Sequence, residues 1–303
     1  RINYKPIKPK VMINYMIALL IGLIIPASII AIKEFFNTKV DSPDHVKQIT
    51  QKPIIGYIPN SDDNSENEVF SKPDSPKAEA FRIVRTKLQF MIKDKNNPVI
   101  LVTSSIPGEG KSHIAINLAQ AYSLTGKRTV LAGFDLRRPQ LAQRFNLERN
   151  IGVTNYLIGH NSFEEIIQKT KFPNLDIITS GIIPPNPAEL IADRKTFEFI
   201  DHLKANYDYI ILDSAPVSPV SDSHHLFHYS DVVLFVVRDC YSYRQGLINS
   251  MDEFKSNNIE NVCIVMNDIK FNRKRYGYKY GISTLYGYCY GYFKEKGKRI
   301  ISL

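Results

Sequence analysis

Cysteine is scarce in this 303-residue chain: Cys240, Cys263 and Cys289, with no pair in a Cys-x-x-Cys spacing. That excludes a disulfide framework and a zinc site of the usual spacing, and it suits a reducing cytosol. No low-complexity block and no internal repeat interrupts the chain. Its composition, 44% hydrophobic and 23% charged, is that of a globular protein. The length allows one large α/β domain with appendages.

Basic charge is missing from the middle. The net charge is +9, but residues 1–10 hold four Lys/Arg, and residues 271–303 hold eight against Glu295 alone. The segment 11–270 is therefore slightly acidic, which argues against a nucleic-acid-binding core. The basic ends suit attraction to anionic lipid or to an acidic neighbour, or they are simply solvated tails.

Charge of either sign is absent from Val11 to Ile32, with Lys10 and Lys33 at the borders. As a helix that run would be about 33 Å long, enough to cross a hydrocarbon core. Tyr15 suits an interface, and Pro26 is tolerated in a membrane helix. The run is too long for a cleaved signal peptide and lacks a small-residue cleavage site. The alternative is a buried core helix. The basic cluster ahead of the helix argues for a cytoplasmic N-terminus. The nucleotide site described below needs the cytoplasm on the other flank, and it decides the orientation. Residues 1–10 would then close an external region. The chain starts at Arg1 rather than Met, so a fragment or processed product is expected.

Four segments follow: the membrane helix with its flanks (1–40), a juxtamembrane linker (41–75), a nucleotide-binding domain (76–270) and a basic tail (271–303). In the linker, Ser42 and Pro43 predict a helix start, and residues 52–59 read as a short strand. From Pro76 the pattern becomes regular. A helix is predicted over 77–93. Apolar runs follow at 99–104, 129–134, 175–179, 209–212, 232–237 and 262–266, separated by helical stretches. Most runs are continuous rather than alternating, which predicts an α/β fold with a parallel sheet and helices on both faces; the loop described next makes it of P-loop NTPase type.

Ser105-Ile106-Pro107-Gly108-Glu109-Gly110-Lys111-Ser112 follows a strand and opens a helix, the context a phosphate-binding loop requires. The pattern is GxxxxGK[ST] with Ser105 in place of the first glycine. Residues 107–113, through His113, form the expected nucleotide cradle. Backbone N–H groups would face the phosphates, Lys111 would reach the β/γ-phosphates of ATP, and Ser112 would bind Mg²⁺. Asp213 ends one apolar run and Asp135 another, where carboxylates can hold the metal or serve as strand-end caps. Asn267 ends the last run and either reads a base or starts a turn. His224, His225 and His228 read as a helix face rather than a metal site.

The tail holds Tyr276, Tyr278, Tyr280, Tyr286, Tyr288, Tyr290 and Tyr292, many separated by glycine. Such a run could be an edge strand, an aggregation-prone tail or a stacking platform for single strands. Beside an ATP site it would also suit a set of phosphoacceptors, each phosphate adding nearly two negative charges.

Together these residues resemble the bacterial tyrosine kinases of capsule and exopolysaccharide export. Residues 104–112 match that family's Walker A form, and Asp213-Ser214-Ala215-Pro216 resembles its Walker B region. Gly181-Ile182-Ile183-Pro184-Pro185-Asn186-Pro187-Ala188-Glu189-Leu190 matches a further signature. Glu79-x-x-Arg82-x-x-Arg85 matches its oligomerisation motif, placed on one helix face by i,i+3 spacing. The resemblance implies a homo-oligomeric ring at the inner membrane with its kinase domain cytoplasmic. One copy's tail would enter the next copy's active site. The polysaccharide export machinery and a tyrosine phosphatase would be its partners. The second Walker motif departs from the family: Gly133-Phe134-Asp135 has glycine where the first of two aspartates stands. That aspartate is often assigned to activating the tyrosine hydroxyl, which leaves the catalytic base open, with Asp213 and Asp135 as the candidates to substitute. A P-loop ATPase switch and an ATP-binding scaffold are the rival readings.

Overall fold

The computed structural model describes residues 11–35, 37–60, 67–218 and 222–270. The tail tyrosines lie outside the described residues. The chain divides into two units, one ending at Lys39 and one beginning at Val40.

The first unit is helix α1 (Val11–Phe35). It is long and apolar enough to cross a membrane. Leu19, Leu20, Leu23 and Ile24 are all exposed, and Pro26 sits inside it without ending it. An apolar helix with no buried face is at home in lipid rather than in water.

The second unit runs α2 (Pro43–Ile49), β1 (Ile54–Pro59), α3 (Glu68–Ser71), α4 (Pro76–Met91), β2 (Val99–Ser104), α5 (Lys111–Ser123), β3 (Thr129–Phe134), α6 (Leu141–Phe145) and α7 (Val153–Leu157). It continues with β4 (Gln168–Lys169), β5 (Leu175–Ile178), α8 (Pro187–Ala192), α9 (Arg194–Asn206), β6 (Tyr209–Ser214), α10 (Asp222–Phe227), β7 (Val232–Arg238), α11 (Arg244–Ser256) and β8 (Val262–Ile269). The strand order is β1-β8-β7-β2-β6-β3-β5-β4. Every pairing is parallel except that of β4, an antiparallel edge.

Both faces of the sheet are covered. Along β2, Val99 and Leu101 join one apolar cluster and Ile100 and Val102 the other, as a strand's alternation requires. The first cluster contains Phe199 and Leu203 of α9 with Leu247 and Phe254 of α11; the second contains Phe81 and Leu88 of α4 with Ile114 and Leu118 of α5. Each such side chain contributes about 1.5–3 kcal/mol by leaving water. The predicted Ser42 cap forms, its Oγ accepting from His45 N–H at 3.4 Å, and Ser75 caps α4 in the same way, accepting from Ala78 N–H at 3.0 Å, each with proline in the first turn.

The segment 41–75 reads as a linker in sequence, but its described residues, 41–60 and 67–75, belong to this unit. β1 pairs with β8, Ile54 opposite Ile264 and Tyr57 opposite Met266. Ile55, Ile58, Val46 and Val69 are buried. Gly56 lets α4 lie close, since a Cβ there would run into Val84. The compact body therefore begins at Val40 rather than at Pro76.

Candidate nucleotide site

The loop between β2 and α5 lies at the carboxyl edge of the sheet, where open α/β folds bind ligands. Gly108 and Gly110 have φ of +89° and +96°, in the left-handed region that glycine reaches without strain. Space demands glycine there too: a Cβ on Gly108 would meet Tyr241 Oη and one on Gly110 would meet Asn267 Nδ2. Gly110 caps α5, so the helix's first N–H groups open toward the loop.

The loop is held from outside. Arg238 Nη1 donates to the Gly108 carbonyl at 2.9 Å, Tyr241 Oη to that of Pro107 at 3.1 Å, and Asn267 Nδ2 to that of Glu109 at 3.0 Å. Arg238 also stacks on the Tyr241 ring and pairs with Asp268 at 2.9 Å. Asn60 holds the other Asp268 oxygen. Glu109, expected to contact nucleotide, turns its carboxylate inward and is buried. Only its backbone can serve the cradle. Asn267, expected to read a base, lines the cleft but has committed its amide N–H to the loop.

Three predicted residues converge beneath the loop. Lys111 Nζ meets Asp135 Oδ2 at 2.7 Å, and Asp135 Oδ1 accepts from the Arg138 N–H at 3.0 Å. Asp213 is buried at the end of β6. Burial pushes its carboxyl above the usual carboxylate range, opposed by Lys111 and by a hydrogen bond from Ser112. Among the described residues its Oδ1 has no hydrogen-bond partner. A buried carboxylate oxygen without a donor suits a cation. No three His, Cys, Asp or Glu side chains converge among the described residues. Two carboxylates and the Ser112 hydroxyl are what Mg²⁺ uses when phosphate oxygens and water complete its shell.

The cleft in front holds about 790 Å³ and is lined by Lys77, Lys111, Arg137, Arg138, Arg144 and Arg238, among others. So many cations around a phosphate loop fit a polyanion such as a nucleoside triphosphate.

The geometry agrees with comparison. The AAA domain family matches residues 97–264. The tyrosine-protein kinase YwqD of Bacillus subtilis is 32% identical over 209 residues, 69% of this chain and 88% of that protein. This chain belongs to the bacterial tyrosine kinase family. EpsB of Ralstonia nicotianae, also named as a tyrosine-protein kinase, is 30% identical over 292 residues, 91% of this chain. The chain spans 39% of that relative's length. The kinase domain of the Escherichia coli tyrosine kinase ETK shares the fold with a TM-score of 0.73 at 24% identity, covering 80% of this chain and 100% of that domain.

Within this bacterial tyrosine kinase fold, Gly133 has been closed over. Ser180 Oγ donates to the Gly133 carbonyl at 2.9 Å, and a Cβ at 133 would lie 2.8 Å from that hydroxyl and 3.2 Å from Leu141. A side chain at 133 would have to push Ser180 and Leu141 aside. His113 lines the cleft as a neutral imidazole: burial, then Lys77 and Arg144, lower its pKa to about 3. Its tautomer follows from Asn117. That amide accepts from Val69 N–H at 3.2 Å and donates to the His113 carbonyl at 3.0 Å. Its nitrogen therefore faces His113 Nδ1 at 3.4 Å, which leaves the ring proton on Nε2.

The oligomerisation triad is partly engaged within the chain. Arg82 pairs with Glu79 at 2.9 Å, and Arg85 Nη1 donates to the Ala121 carbonyl at the end of α5 at 2.8 Å. His224 contacts Glu253 at 2.7 Å, an ordinary helix-face pair. Sequence reasoning missed Arg238, Asp268, Asn60, Tyr241 and Ser242. The tips of β1, β7 and β8 border the cleft as those of β2, β3 and β6 do, so inspection of every strand end would have found most of them.

Proposed function

We propose that this chain is the cytoplasmic catalytic part of an ATP-dependent protein-tyrosine autokinase, anchored in the bacterial inner membrane by α1. The observation that carries the reading is the convergence of Lys111, Ser112, Asp135 and Asp213 beneath a tethered phosphate loop in a basic cleft. The acceptors are tyrosines 276–292 of a neighbouring copy in a homo-oligomer. The phenol oxygen forms a bond to the γ-phosphorus, the bond to the ADP oxygen breaks, and the phenol proton passes to Asp135 or Asp213. Lys111 exchanges Asp135 for phosphate oxygens as the nucleotide enters. Bound Mg²⁺ would neutralise the β/γ oxygens, held by Ser112 and Asp213 and through water by Asp135. Positioning and electrostatics carry most of phosphoryl transfer, so the glycine at 133 need not abolish it. Phosphates on the tail would reverse its positive charge and loosen the assembly. Cycles of loading and removal by a tyrosine phosphatase would accompany polysaccharide assembly and export.

The closing of the space at Gly133 by Ser180 favours a second reading, an ATP-binding scaffold or ATPase switch without kinase activity. Intact mass after incubation with Mg-ATP separates them. Multiple phosphate additions within 276–292, absent from Lys111→Met, are expected. Binding of ATP with no addition would sink the kinase reading and install the scaffold. Phosphate release without phosphotyrosine would install the ATPase switch.

A further inference from the structure

The phosphate loop carries one carboxylate, and it points away from the cleft. Glu109 is 1% exposed. Its carboxylate accepts from the Ser105 hydroxyl at 2.7 Å, from the Ile106 N–H at 2.8 Å, and from the Ser242 hydroxyl. Ser105 and Ile106 enter the loop; Ser242 lies in the turn after β7. A serine hydroxyl has one proton to give. Ser242 Oγ accepts from the Arg238 N–H at 2.8 Å, which leaves that proton for Glu109. The turn is pinned from its far side as well. Cys240 N–H donates to the Val40 carbonyl, and Val40 N–H to the Ser242 carbonyl, both at 2.8 Å.

We infer that Glu109 is a positioning residue: by drawing Ser105, Ile106 and Ser242 onto one buried carboxylate, it fixes the curvature that aims the loop's N–H groups at phosphate. Hydrogen bonds to an ionised acceptor are the strong ones, and three converge here. This also accounts for Ser105, which stands where the loop pattern has glycine: its hydroxyl anchors the carboxylate. A glutamine at 109 would present an NH₂ to at least one of the donors. Ser242 is remote from the loop in sequence and can be changed without altering any loop residue.

The inference rests on the nucleotide-binding reading, and its test uses the full chain in detergent micelles with Mg-ADP as the probe. Ser242→Ala and Glu109→Gln are each expected to weaken Mg-ADP binding by about tenfold in calorimetry. Because both act through one carboxylate, the double variant is expected to lose about as much as the weaker-binding single, not the product of the two. In turnover, KM for ATP rises while kcat at saturating ATP holds. Singles that keep affinity within about twofold of the parent overturn the inference, as do losses that multiply. If Glu109→Gln fails to fold, Ser242→Ala and Ser105→Ala, each removing one donor to the carboxylate, are still expected to weaken binding one by one, and affinity kept within about twofold in both overturns the inference. A parent that binds Mg-ADP but forms no phosphotyrosine sinks the kinase reading and leaves this result standing. A parent that binds no nucleotide overturns both.

Discussion

The loop after β2 and the turn after β3 stand on the same edge of the sheet, with only β6 between them, and they are held in different ways. Residues from distant parts of the chain grip the first: Arg238, Tyr241, Ser242 and Asn267. The second is held by one bond within the turn, Asp135 accepting from Arg138, and by groups of adjoining strand ends, Lys111 on Asp135 and Ser180 over Gly133. A loop whose amides must face phosphate has few bonds of its own to spend, so its order comes from outside. A strand tip with glycine at 133 has its space taken by a serine from the neighbouring strand end.

The largest effect expected at this edge is at Asp213. Asp213→Asn should slow phosphotyrosine formation on the order of a thousandfold, since the charge proposed to hold the metal is lost while the shape is kept. A loss below tenfold in a rate assay would move the metal site to Asp135 and reverse the ranking of the two tips. Next is Gly133→Asp. The new side chain meets Ser180 and Leu141, so stability should fall by roughly 2–4 kcal/mol with no gain in rate. Urea unfolding reads the first part. A stable and faster variant would mean that the turn after β3 is open after all.

Acid should act on the loop side. Between pH 6.5 and about 3 the unfolded chain protonates His113 while the folded chain resists. Stability therefore falls as pH falls through that window, by up to about 1.4 kcal/mol per unit. Glu109 and Asp213 oppose this, because raised carboxyl pKa values let the folded chain take protons more readily than the unfolded one. His113→Gln should flatten the decline in urea midpoint on acidification, and an unchanged slope would remove His113 from the account. The smallest effects lie on α4. Arg85→Ala should cost about 1 kcal/mol through the Ala121 carbonyl. Glu79→Ala, breaking a half-exposed pair, should cost no more than about 0.5 kcal/mol. Equal losses would mean that the pair does more than its exposure allows.

Much of this was legible in the sequence because it is local. The apolar runs at 99–104, 129–134 and 232–237 became strands nearly residue for residue, since continuous apolar runs leave few alternatives in a parallel sheet. Gly108, Gly110 and Lys111 announced the loop, because its backbone needs those residue types in that order. What stayed hidden is non-local. Nothing in Glu109 itself says that Ser242 will donate to it, and nothing in Ile54–Pro59 says that the strand's partner lies some two hundred residues on. β4 is two residues long and carries no pattern at all. The inward turn of Glu109 and the commitment of Asn267 to the loop follow from packing that only the assembled sheet supplies.

The place of β1 has a practical side. A soluble fragment cut at Pro76 would keep the phosphate loop and every strand from β2 on, yet it would strip β8 of its outer neighbour. A row of backbone N–H and C=O groups on an apolar strand would then face water, and such an edge recruits other chains. It would also remove Val40 from the turn that holds Ser242. A fragment cut just before Val40 avoids both faults, and the two should differ in solubility before they differ in anything else.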